Sequence, residues 1–94
     1  GLPQTLIEAM AREKIVISST NDGGKELIKD KENGYIFNIG NSDKLTSILD
    51  KIQKMSEKQK NIIKKQARQS VERYSWNKLI KKIENTIINQ KQEK

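Results

Sequence analysis

The spacing of apolar residues changes once along the chain, near Asn41. Before that point they come in short clusters. Leu2-Pro3-Gln4-Thr5-Leu6-Ile7-Glu8-Ala9-Met10-Ala11-Arg12 reads as a short helix with Leu6, Ala9 and Met10 as its apolar stripe. Pro3 falls in the first turn, where a missing amide hydrogen does no harm. Ile15-Val16-Ile17 is a continuous β-branched run between polar neighbours, the mark of a strand buried on both faces. Ser18 through Gly24 follows as a loop of turn formers. Lys25-Glu26-Leu27-Ile28 suggests a helical turn, and Asn33-Gly34 a turn that feeds a second strand, Tyr35-Ile36-Phe37. Helix, strand, helix, strand predicts an α/β arrangement with parallel pairing.

From Asn41 onward only helical spacing remains. Asn41 or Ser42 caps a helix carrying Leu45, Ile48, Leu49, Ile52 and Met55. Ile63, Ala67, Val71 and Tyr74 mark a second helix, and Trp76, Leu79, Ile80, Ile83 and Ile87 a third, begun by Ser75 with Trp76 in the core. The polar tail after Ile88 is expected to fray. Two strands make a marginal sheet, and a strand as apolar as Ile15-Val16-Ile17 expects neighbours on both sides. With a start at Gly1 rather than Met, this predicts a portion of a larger fold whose sheet edges favour self-association.

Composition narrows the chemistry. The 94 residues contain neither Cys nor His, which excludes disulfides, thiolate zinc sites and a Cys nucleophile and removes the commonest general base. Ser18, Ser19, Thr20 and Asp22, a candidate nucleophile cluster, therefore read as loop formers. Asp22, Glu26, Asp30 and Glu32 lack the spacing of a cation-binding loop. Residues 1–50 carry 6 Lys and Arg against 8 Asp and Glu, while residues 51–94 carry 13 against 4, so the net charge of +7 belongs to the second half. That raises a basic helical module for nucleic acid or an anionic membrane surface; the plainer reading, favoured by only 4% aromatic residues, is a solvated Lys-rich face. At a mean hydropathy of −0.85, no apolar run approaches the ~20 residues of a membrane span.

Gly1-Leu2-Pro3-Gln4-Thr5-Leu6-Ile7-Glu8-Ala9-Met10-Ala11 closely resembles the donor-binding signature of the retaining family 4 (group 1) glycosyltransferases, which have the GT-B fold. That signature is Glu-Gly-Phe-Pro, four residues ending in Leu, then Glu-Ala-Met-Ala; Glu8 matches its second glutamate, and the first would precede Gly1. The likeness continues through Val16-Ile17-Ser18-Ser19, Gly23-Gly24-Lys25-Glu26, Asn33-Gly34-Tyr35-Ile36-Phe37 and Arg73-Tyr74-Ser75-Trp76, the last similar to the Arg-Phe-Ser-Trp that opens the family's final helix. Two departures concern turns: Glu13 and Ile15 stand where the family usually has Gly and Pro, and no Pro precedes Glu26.

The resemblance implies an α/β fold: residues 1–40 as the C-terminal part of a Rossmann-like nucleotide-sugar-binding domain, and 41–94 as a helical segment whose last helix crosses back to the N-terminal domain. It implies transfer of a sugar from a nucleotide-diphosphate donor to a glycan or lipid-linked acceptor with retention, without a metal or other cofactor. It implies a cytoplasmic enzyme, or one peripheral at the inner membrane face. The basic pair that contacts the diphosphate and the acceptor domain are not in these 94 residues, so the chain alone is expected to be inactive. The expected binding residues are Leu2, Pro3, Gln4, Thr5 and Leu6, whose amides at a helix N-terminus suit a diphosphate or sugar, and Glu8. Glu8 lies about 200° round the helix from Leu6, off the apolar stripe, where a carboxylate can accept two hydrogen bonds from a ribose diol. The plainer reading is a solvent-facing Glu in the first turn. Glu26 is a weaker candidate near the donor cleft.

Overall fold

The computed structural model of the chain describes residues 4–19 and 26–92, the last six of these as backbone only. Five elements follow one another: α1 (Gln4–Ala11), β1 (Ile17–Ser19), β2 (Tyr35–Phe37), α2 (Ser42–Lys54) and α3 (Glu57–Gln92). β1 and β2 pair in parallel, Ile17 opposite Tyr35 and Ser19 opposite Phe37. The strand therefore sits two residues later than the apolar run suggests. Ser18 and Ser19, expected in a loop, are buried strand residues; Tyr35 N–H donates to the Val16 carbonyl at 2.9 Å, which ties the apolar run in just ahead of the strand.

Side chains alternate across a strand, and here both faces are covered. On one side Val16 joins Met10, Leu27, Ile28, Ala67 and Val71, with Leu6, Ile7, Ala9, Ile36 and Tyr74 packed around them. On the other, Tyr35, Ile48 and Ile63 form a cluster flanked by Ile15, Ile17, Phe37, Ile52 and Met55. The two-sided burial expected of Ile15-Val16-Ile17 is met. Removing an aliphatic side chain such as Met10 or Ile48 from water contributes about 1.5–3 kcal/mol. Two parallel strands with helices over both faces make a partial Rossmann-like GT-B domain, followed by the C-terminal helices α2 and α3.

Short-range chemistry sets the element ends. α1 closes with Glu13 N–H on the Met10 carbonyl and Lys14 N–H on the Ala9 carbonyl, each at 3.0 Å, with Glu13 at φ 59. This is a Schellman cap, which usually places Gly at its left-handed residue. Asn41 caps α2, its side chain accepting from the Lys44 amide at 3.1 Å, as its position predicts. α3 opens with a reciprocal box not anticipated from the sequence: Ser56 Oγ accepts from Gln59 N–H, and Gln59 Oε1 accepts from Ser56 N–H.

The segment before β2 is held by one side chain. Asn33, 2% exposed, accepts from Lys29 N–H at 2.8 Å and donates through Nδ2 to the Leu27 carbonyl at 3.0 Å and to Ser70 Oγ on α3 at 2.8 Å. Gly34 follows at a close approach, since a Cβ there would lie 2.8 Å from Val16 Cγ2 and 3.1 Å from the Val16 carbonyl oxygen. Asn33-Gly34 is thus a brace as well as a turn. Of the helical turn expected at Lys25–Ile28, Lys25 lies outside the described residues, while Leu27 and Ile28 are core.

The largest departure concerns the helices after Met55. A break at Ser75 is expected from the two stripes, yet α3 runs unbroken for 36 residues, on through Gln92. The nine residues from Ala67 to Trp76 rotate the helix by about 180°, so the second stripe lies on the opposite face from the first. Ile63, Ala67 and Val71 are buried, whereas Trp76 is 62% exposed and Leu79, Ile80 and Ile83 are exposed with it. Trp76 is therefore not a core residue here. The Ile87 side chain lies outside the described residues.

Candidate functional site

α1 is fixed by one face and open on the other. Met10 is fully buried, and Leu6, Ile7 and Ala9 pack with it against Ala67 and Val71 of α3. Ile7 widens the stripe beyond Leu6, Ala9 and Met10. Residues 12–16 link α1 to β1.

Of the predicted binding residues, Leu2 and Pro3 lie outside the described residues. Gln4 and Thr5 are exposed in the first turn and Leu6 is half-buried. The first amides of a helix lack intrahelical acceptors and carry a partial positive charge, which suits an anion. Glu8 is exposed, as its position off the stripe predicts. With α1 bounded at Gln4 it stands in the second turn rather than the first, so a dipole role, which fades within the first turn, is weak. Its carbonyl accepts from Arg12 N–H at 3.1 Å. Among the described residues its carboxylate makes no hydrogen bond or ion pair and is open to an incoming donor.

The remaining candidates divide. Glu26 is exposed just after the segment that carries Gly23-Gly24, and that segment lies outside the described residues together with Thr20 and Asp22. Ser18 Oγ donates to the Ser19 carbonyl at 3.2 Å inside the core. Asp30 is engaged by its own chain, accepting from Ile36 N–H at 3.0 Å. Among the described residues no group of three or more carboxylates comes together to hold a metal ion. In the basic half, Lys54–Asp50, Lys60–Glu57 and Arg68–Glu72 are pairs three or four residues apart along their helices. Each such pair contributes about 0.2–0.5 kcal/mol, the pattern of a solvated helical face. Among the described residues no helix is long and apolar enough to cross a membrane.

The order of elements and the doubly covered parallel strands define a partial Rossmann-like α/β domain, and comparison with known sequences identifies its family. The family described as "Glycosyl transferases group 1" matches residues 1–70, and the chain belongs to it. Among curated proteins, it is similar to "Putative glycosyltransferase EpsD" of Bacillus subtilis (strain 168), 43% identical over 42 residues. That match covers 45% of this chain and 11% of that protein, so the aligned part is about a tenth of the relative's length. No solved structure matches.

Proposed function

We propose that the chain carries the donor-binding helix of a retaining family 4 glycosyltransferase, which moves a sugar from a nucleotide-diphosphate donor to a glycan, lipid or other acceptor. The observation that carries this reading is Glu8: an open carboxylate on a helix whose opposite face is locked into the core. In this reading Glu8 accepts hydrogen bonds from the ribose diol. The first-turn amides, including those of Gln4, Thr5 and Leu6, receive the diphosphate or the sugar. Negative charge develops on the departing diphosphate, and helix amides stabilise it without a metal. Leu2 and Pro3 come immediately before Gln4 in the sequence and are part of the same proposed binding segment. The acceptor domain and the basic pair that contacts the diphosphate lie outside these 94 residues, which alone are expected to be inactive.

The test is Glu8→Ala in the parent enzyme, with donor-nucleotide affinity by calorimetry beside a thermal melt. Ala preserves the helix. Loss of a charged acceptor to ribose hydroxyls costs about 1.5–3 kcal/mol, or roughly 10- to 150-fold in affinity. The melting temperature should stay within a degree or two, because surface substitutions usually shift stability by less than about 0.5 kcal/mol. Unchanged affinity would make Glu8 an ordinary surface carboxylate, and a collapsed melt would make it structural.

A further inference from the structure

A cleft of about 350 Å³ opens between the turn that precedes β2 and one face of α2. Its walls are Asp30, Lys31, Tyr35, Lys44, Ser47, Ile48 and Lys51. Four of these, Lys44, Ser47, Ile48 and Lys51, recur at i, i+3, i+4 and i+7, so a single helical face supplies two ammonium groups, a hydroxyl and an apolar floor. Lys31 comes from the facing turn, its amide donating to the Gly34 carbonyl at 2.8 Å. Lys44 lies 3.8 Å from the Asp30 carboxylate, which is itself tied to the Ile36 amide.

We infer that this cleft binds a phosphate monoester, carried either by a soluble phosphorylated molecule or by the headgroup of phosphatidic acid. Three lysines against one carboxylate leave two positive charges at the walls. A phosphate monoester carries about −1.5 to −2 at pH 7, which matches them, whereas a carboxylate would leave one uncompensated. Tyr35, 2% exposed, closes the bottom of the cleft, with its hydroxyl donating to Met55 Sδ at 3.9 Å. Ser47 adds a short hydroxyl donor on the same wall, Ile48 and Tyr35 form the floor, and bonds from the ammonium groups to a phosphate are charge-assisted. The inference is independent of donor binding, since Glu8 is not part of these walls.

The experiment is amide NMR on the 94-residue chain, titrated with methyl phosphate at constant ionic strength against a sodium chloride control. A parallel arm uses vesicles of dioleoylphosphatidic acid in dioleoylphosphatidylcholine, with dioleoylphosphatidylcholine alone as the zwitterionic control. Saturating shifts at Lys31, Lys44, Ser47 and Lys51 with methyl phosphate support a soluble source; shifts at these positions only with the anionic vesicles support a headgroup. Lys44→Gln/Lys51→Gln should weaken either response by about ten-fold or more. Both lysines are exposed, the variant's fold is checked by circular dichroism, and Lys31→Gln serves as a second variant on the facing wall that should also weaken the response. Shifts that chloride reproduces, no response in either arm, or an unweakened double variant would each overturn the inference.

Discussion

Glu13 occupies the left-handed position of the α1 cap with a side chain that position disfavours. For an L-residue this conformation costs about 1–2 kcal/mol, and glycine removes that cost while adding about 0.5–1 kcal/mol of unfolded-chain entropy. Glu13→Gly should therefore stabilise the fold by about 0.5–1 kcal/mol, read as a higher urea midpoint at constant slope. A midpoint that stays or falls would mean the Glu13 side chain offsets the strain through contacts of its own. Tyr35 gives a second expectation at this scale, because burial, and secondarily the Asp30 carboxylate, raise its phenol above the ordinary 10.0. The folded chain keeps a proton that the unfolded chain gives up, so this contribution is complete below about pH 10 and is lost as pH rises through the folded value. Thermal melts from neutral to alkaline pH should fall more steeply for the wild type than for Tyr35→Phe. Parallel curves would show that the phenol titrates alike in both states.

Among the elements, α3 separates what periodicity reveals from what it conceals. Both of its stripes were legible, and each identified a real helical face. What the pattern could not report is that a half-turn change of phase between Val71 and Trp76 is compatible with one straight helix, provided the second face has nothing to pack against. Spacing records where apolar residues point, not whether a surface is present to receive them. Because the distal face is bare in this chain, Leu79→Ser/Ile83→Ser should change thermal stability by no more than about 0.5 kcal/mol. The same variant should reduce any self-association seen by analytical ultracentrifugation. A large drop in stability with no change in association would mean that the stripe packs within its own chain.

Across the whole molecule, the α/β class, the parallel pair and the exposed position of Glu8 were readable because each depends on local periodicity or a short contiguous signature. The position of β1 was misplaced because strand limits follow pairing, and the partner of Ser18 and Ser19 lies across the loop at Ile36 and Phe37. The bond from Asn33 to Ser70 joins residues 37 apart, and the lysine-walled cleft assembles from two segments; neither leaves a trace in local spacing. The half-turn in α3 has one more consequence, which concerns the timescale of opening. Up to Tyr74 the amides of α3 lie over a packed core and open only with much of the fold, whereas beyond it they are guarded by the helix alone. Hydrogen exchange along this single uninterrupted helix should therefore step sharply near Tyr74, slow before it and fast after it, and a protease specific for Lys should cut α3 beyond Tyr74 before it cuts at Lys60, Lys64 or Lys65. One helix by geometry thus behaves as two by stability.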